Sequence, residues 1–390
     1  MSGFYSYKIF LKIKTPGGAG SEPGEEIINY PHILKRFGSA CSIIKGMYDI
    51  ITIGSATRDV FLKSDLFQIV HDPKHLERLG FTSGEAQCFA LGGKIEIDKP
   101  EFMVGGGAAN AAVTFARQGF KTAVIAKVGD DAVGREIAQT LEREKIKMYG
   151  VIDKKKGTAW SAILISPSGE RTILNYRGAS EDLKKNEIPR GIEARCIYIV
   201  PGRIEYSTIF PLIKDFKRRG AKIMMDFSKH YLSLGAKGLA PILPWLDAVH
   251  INREEAALFT GKKFEDEKAI FKKLHELIGG IVAMTDGPKG VLVSDGKRVY
   301  HAGTYKEKKI MDRTGAGDSF GSGFIAALMR RKAGAGGVYK KEDIEYAIKL
   351  GSANATSNVE TVGAQTGLLR KGEFERDWSR RRFIISEKAL

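Results

Sequence analysis

From Tyr48 onward, short apolar runs alternate with longer stretches whose apolar residues recur every three or four positions. The runs at 50–53, 123–126, 197–200, 223–225, 248–251 and 281–284 are too short for helices. They are apolar throughout, the pattern of strands buried on both faces. Helical periods fall near 109–118, 132–145, 207–219, 253–260, 266–277, 318–331 and 342–356. This alternation predicts repeated βα units and an α/β fold: a mostly parallel central sheet with helices on both faces. No internal repeat is evident.

Two pieces break the rhythm. Residues 61–103 carry little helical period beyond 75–79, and residues 158–177 read as two β runs around a turn at Pro167, Ser168 and Gly169. The first 46 residues differ again. Their Gly- and Pro-containing run at 17–24 resembles a linker, and the first strand follows Met47. Residues 1–46 are therefore expected to be an N-terminal extension, either a true appendage or sequence read through from an early start codon. The folded domain is expected over 47–372, and 373–390 is expected to be a basic tail.

The 390 residues, 43% hydrophobic and 28% charged, suffice for one large α/β domain with an appendage. Three cysteines without metal-type spacing argue against a disulfide scaffold and fit a reducing, cytoplasmic compartment. No stretch approaches the roughly 20 apolar residues of a membrane-spanning helix. The net charge of +16 suits polyanionic ligands, nucleotides among them. Aromatics are not interleaved with the basic residues as in nucleic-acid binders, so the charge is read as a solvated surface and nucleic acid is not an expected partner.

The chemistry is concentrated at 312–328. There Gly315, Ala316 and Gly317 deliver one carboxylate, Asp318, to the first turn of a helix whose apolar face runs through Phe320, Phe324, Ile325 and Leu328. A helix N-terminus presents unpaired N–H groups and the positive end of its dipole, so it holds phosphate well. A carboxylate in that same turn is repelled by phosphate, which suggests a task for it. The natural one is general base toward a hydroxyl attacking the phosphorus. An Asp closing a Gly-rich loop is the plainer reading of the same residues. A second Gly-rich segment, Gly105, Gly106, Gly107 and then Asn110, also opens a helix.

These two segments, in this order and separation, strongly resemble the paired signatures of the ribokinase-like sugar kinases, the PfkB family. The resemblance extends with gaps from about Tyr48 to about Gly367. It implies ATP-dependent phosphorylation of an alcohol on a small sugar or nucleoside, with Asp318 as base and residues 315–317 as the anion hole. It further implies that segments 59–103 and 157–177 pair into a small β lid over the sugar. The 47 positions separating Asp59 from Gly106 lead us to expect an enlarged one. Asp59, Gly105, Gly106 and Asn110 match sugar-side positions. Thr57 stands where ribokinases tend to have Asn, and Gly107 where they often have Lys. Asn252, Thr285, Gly287 and Gly290 match the nucleotide side, and Ser352 falls beside the adenine position where the family often has Asn, although Val291 to Val293 after the Gly287 turn also suit a simple hairpin. Glu255 matches the residue that organises Mg²⁺ through water. Asp312 and Thr314 match two ligands of a K⁺ ion bound by several members, while Gly367 falls where a Ser ligand is often found. The lid's second face, read as carrying Ile163, Ile165 and Ile173, is expected to pair with a second lid in a homodimer, or else to be covered within one chain by the 61–103 insertion. The alternative from another class is a regulator that binds sugar or nucleotide without turnover.

Overall fold

The computed structural model describes residues 47–79, 84–167, 170–331 and 338–390. The expected extension over 1–46, and the turn residues Ser168 and Gly169, lie outside them.

The six apolar runs form six of the seven parallel strands at the centre of a ten-stranded sheet. These are β1 (Tyr48–Gly54), β6 (Thr122–Gly129), β10 (Ala194–Val200), β11 (Lys222–Asp226), β12 (Ala248–Asn252) and β13 (Ile281–Thr285). The seventh is β7 (Lys147–Asp153), at the edge beside β6. Ile50, Ile51, Ile53, Val124, Ile125, Ile197, Ile223, Val282 and Met284 show almost no exposed surface. Helices on both faces impose that burial, and it explains why polar alternation is absent there.

The strand order is β16-β15-β14-β13-β12-β11-β10-β1-β6-β7, with β14 (Val291–Ser294), β15 (Arg298–Ala302) and β16 (Ile385–Ala389) antiparallel at the far edge. The chain leaves β1 toward β6 on one side and later returns to β10 on the other. The order reverses at β1, and ligands bind open α/β sheets at such a switch, beyond the strands' C-terminal ends.

Eight helices of six or more residues are described: α1 (Pro73–Arg78), α2 (Gly107–Arg117), α3 (Ala132–Arg143), α4 (Tyr206–Arg218), α5 (Arg253–Thr260), α6 (Glu267–His275), α7 (Ala316–Arg330) and α8 (Lys341–Val359). The α7 and α8 helices pack against α2 and the sheet around Phe115, Tyr198, Phe320, Phe324 and Leu328. No described helix is long and apolar enough to cross a membrane.

The two irregular pieces meet in a second sheet of order β5-β2-β8-β9, comprising β2 (Thr57–Lys63), β5 (Glu101–Gly105), β8 (Trp160–Ile165) and β9 (Arg171–Tyr176). Between β2 and β5 the chain adds α1 and a separate hairpin of β3 (Gln68–His71) and β4 (Glu85–Cys88). Ser64 Oγ donates to the Glu96 carbonyl at 2.6 Å, and Phe67 packs edge-on to Phe89 at 5.5 Å.

Residues 373–390, read from sequence as a tail, join the sheet. Phe374 and Trp378 are buried, Trp378 and Phe383 both pack on Tyr305, and β16 pairs with β15 along five residues. The basic residues that suggested a tail alternate with these aromatic anchors.

Candidate active site

The strand ends at the switch carry the site. Gly54 ends β1, Asp226 ends β11, Asn252 ends β12 and Thr285 ends β13. Across them lies the first turn of α7. Its N-cap, Gly315, has φ +72°, a left-handed value that L side chains resist, and an added Cβ there would strike Ala364. The chain can thus turn sharply into the helix and leave the N–H groups of that turn without intrahelical acceptors.

This turn borders two cavities. One, of about 210 Å³, is lined by Thr57, Asp59, Gly106, Asn110, Gly315 and Asp318 together with lid residues. The other, of about 150 Å³, is lined by Thr285, Gly287, Gly290, Ala316, Gly317 and Ser352 among others. Most of the residues assigned from sequence to the sugar and nucleotide sides thus fall into two spaces, with Asp318 facing the first, whereas Asn252 lines neither. Gly105 likewise lines neither. The Asp59 carboxylate lies against its Cα, leaving no room for a Cβ. The turn of Gly287 and Gly290 joins β13 to β14 as a β hairpin, and the same glycines line the smaller cavity.

Asp318 accepts a hydrogen bond from Asn110 Nδ2 at 2.9 Å, and Asn110 Oδ1 accepts one from Gln365 Nε2 at 2.9 Å. Burial pushes the Asp318 carboxyl up to about 6, the nearby Asp226 charge adds to this, and Asn110 opposes it. A carboxylate near that value is poised to exchange a proton around neutral pH. Burial likewise raises Asp59, against the hydroxyls of Ser161 and Thr57; Thr57 Oγ1 lies 3.3 Å from Asp59 Oδ1.

Asn252 and Glu255 are used first by the fold. Each caps the other's backbone N–H at the start of α5, at 2.8 and 3.3 Å. Glu255 is raised by burial, and the Asp226 charge adds to the rise. A carboxylate with Asp226 nearby is the kind of group that holds a hydrated divalent cation. Among the described residues no group of three His, Cys, Asp or Glu is arranged to hold a metal directly. Asp312 accepts from the Thr314 N–H and hydroxyl at 2.9 and 2.7 Å and from the Gly363 N–H at 3.0 Å. Beside it, Asn358 Nδ2 donates to the Thr314 carbonyl at 3.1 Å, while Asn358 Oδ1 is buried without a donor. A buried oxygen left without a donor calls for a further partner, and a cation is one that would serve.

Several site residues escaped the sequence reading. Ser161, Asn175, Arg177 and Ser180 line the larger cavity from the lid side. The period-two spacing of Ile173, Asn175 and Arg177 was the available signal. It also corrects the lid's orientation: Ile163 and Ile173 face the cavity rather than the outside. His250 and Asp226 lie behind α7, with His250 Nδ1 3.0 Å from Asp226 Oδ1 and Nε2 3.3 Å from Thr285 Oγ1. Burial alone would lower His250, but the Asp226 carboxylate outweighs it and raises the imidazole.

Two cavities meeting at a helix N-terminus beside one carboxylate have the form of a group-transfer site. Residues 75–371 match the family model described as pfkB family carbohydrate kinase, so this chain belongs to that family. It is 26% identical over 278 residues to a ribokinase of Haemophilus influenzae, covering 69% of this chain and 85% of that one. It is 30% identical over 244 residues to a 5-dehydro-2-deoxygluconokinase of Geobacillus kaustophilus, covering 58% and 72%. The fold is that of the Arabidopsis thaliana ribokinase solved with ribose and ATP, with a TM-score of 0.65, 20% identity and coverage of 85% and 98%. The chain is thus a carbohydrate or nucleoside kinase.

Proposed function

We propose that this kinase moves the terminal phosphoryl of ATP to a hydroxyl of a small sugar, with Asp318 as the general base. The observation that carries this reading is the turn at 315–318, which gives Asp318 to one cavity and Ala316 and Gly317 to the other. A hydroxyl held by Asp59 and Asn110 would lie beside the Asp318 carboxylate. The N–H groups of residues 315–317 would stabilise the charge that develops on the transferring phosphoryl.

The sugar preference rests on the cavity lining. Asp59, Asn110, Ser161 and Asn175 can hydrogen-bond a polyol. Among the described residues no aromatic side chain lines that cavity, so a nucleobase would find only the Arg177 guanidinium to stack on. Glu255 and Asp226 would hold Mg²⁺ through water, and the ion would offset charge on the nucleotide phosphates. Asp312, Thr314 and Asn358 would hold K⁺. All six residues of β9 are exposed, including those that line the cavity, which fits a lid standing open; its closure would exclude water.

The lid's outer face presents Phe102, Trp160, Leu174 and Tyr176, between 44% and 57% exposed. Such a face invites pairing with a second copy.

A coupled ADP-release screen across sugars, sugar acids and nucleosides, run in potassium and in sodium buffers, tests the assignment. At least one sugar is expected to turn over, faster in potassium. Binding of sugar and ATP without ADP release would favour the regulator reading instead.

A further inference from the structure

A further cavity lies away from both site cavities. It measures about 710 Å³ and opens between α4 and the segment linking β9 to β10. That segment is an arch pinned at both ends. Thr208 Oγ1 on α4 donates to the Leu183 carbonyl at 3.2 Å, and Arg219 Nη1, just past α4, donates to the Ile192 carbonyl at 2.7 Å. Lys127 of β6 holds its middle, pairing with Glu187 at 2.8 Å and donating to the Asp182 carbonyl at 3.2 Å. Between the pins the chain spans a concavity with Ile125 of β6 at its base.

The lining is strongly one-signed. Lys185, Arg190, Lys214, Arg218 and Arg219 surround it, and Asp215 is its sole carboxylate. Asp215 is already bound by Arg218 at 3.0 Å and Arg219 at 2.6 Å. Lys185, Arg190 and Lys214 form no ion pair among the described residues. A basic chain carries many solvated lysines, but spread over convex surface their repulsion is weak. Five cations around one concavity with apolar walls repel each other and focus a positive field into it. The volume falls within the roughly 300–1,000 Å³ of small-molecule sites.

We propose that this cavity is an effector site for a small polyphosphate, a diphosphate or triphosphate either free or carried on a nucleoside. Two or more phosphates are needed to match three unpaired cations. The arch that forms its roof begins at Arg177 and Ser180, which line the substrate cavity. Occupancy therefore changes the affinity for the alcohol substrate. This second clause rests on the kinase reading, whereas the binding itself does not.

Calorimetric titration of the full chain with pyrophosphate, and separately with ADP, tests the binding. Wild-type protein is expected to show a class of site that Arg190→Glu/Lys214→Glu loses, with affinity falling at least tenfold. The neutral Arg190→Gln/Lys214→Gln variant guards against misfolding and is expected to fall between. The ligand that binds this class more tightly identifies the source of the phosphates. Equal stoichiometry and affinity in wild type and variants overturns the site. So does equally tight binding of sulfate at matched ionic strength, or stronger competition by single-stranded DNA. In steady-state assays, pyrophosphate is expected to shift the alcohol KM at least twofold in wild type and not in the charge-reversal variant. An unchanged KM in wild type overturns the coupling, and calorimetry reads independently of turnover.

Discussion

Asp59 and Asp318 are both raised by burial, yet their surroundings divide their work. Asp59 sits on the lid strand β2 with the hydroxyls of Thr57 and Ser161. Its place suits binding, so Asp59→Ala should raise the KM for the alcohol far more than that for ATP; equal rises would remove it from the sugar side. Asp318 carries a measurable cost. Its carboxyl ionises near 6 in the fold against an ordinary 3.8. The native state thus keeps this proton to higher pH than the unfolded chain, and native stability falls as pH rises between those values. Asp318→Asn removes the buried charge. It should be more stable than wild type above about pH 6, by on the order of 1–3 kcal/mol, with the gap closing below about pH 4. Urea unfolding at both pH values reads this, and a gap independent of pH would contradict the assignment.

At the scale of elements, the central strands were legible because burial on both faces leaves only apolar residues. The lid strand β2 was not, since Thr57, Arg58, Asp59 and Lys63 interrupt it, the first and third lining the cavity and the other two forming ion pairs with Glu136 and Glu101. The edge strand β16 was hidden because all but one of its residues are exposed. The site followed the same rule. Asp318 and its loop are contiguous and readable, whereas Asp226, His250, Asn175 and Gln365 come from separate elements that only the fold assembles. The C-terminal segment, which looked like a tail, is anchored by Trp378, 4% exposed and edge-on to Tyr305 at 5.2 Å. Trp378→Ala should therefore cost about 3–5 kcal/mol in denaturant unfolding. A loss within about 0.5 kcal/mol would return the segment to the status of a tail.

At the scale of the whole molecule, the lid presents two different faces. One face holds Asp59, Ser161 and Asn175 over the cavity, and the other leaves Phe102, Trp160, Leu174 and Tyr176 in water. Sedimentation equilibrium at micromolar concentration should give a species of twice the 42.8 kDa chain mass. A single species at the chain mass would mean that the outer face stays uncovered or is covered within one chain. The central claim, however, is that one carboxylate at the start of α7 takes the proton of the attacking hydroxyl. The most direct measurement is kcat for ADP release by Asp318→Asn on the best substrate of the screen, with ATP binding measured alongside. The account predicts a fall of roughly 10²–10⁴-fold with ATP affinity nearly unchanged. A variant that keeps more than about half of its turnover would contradict it.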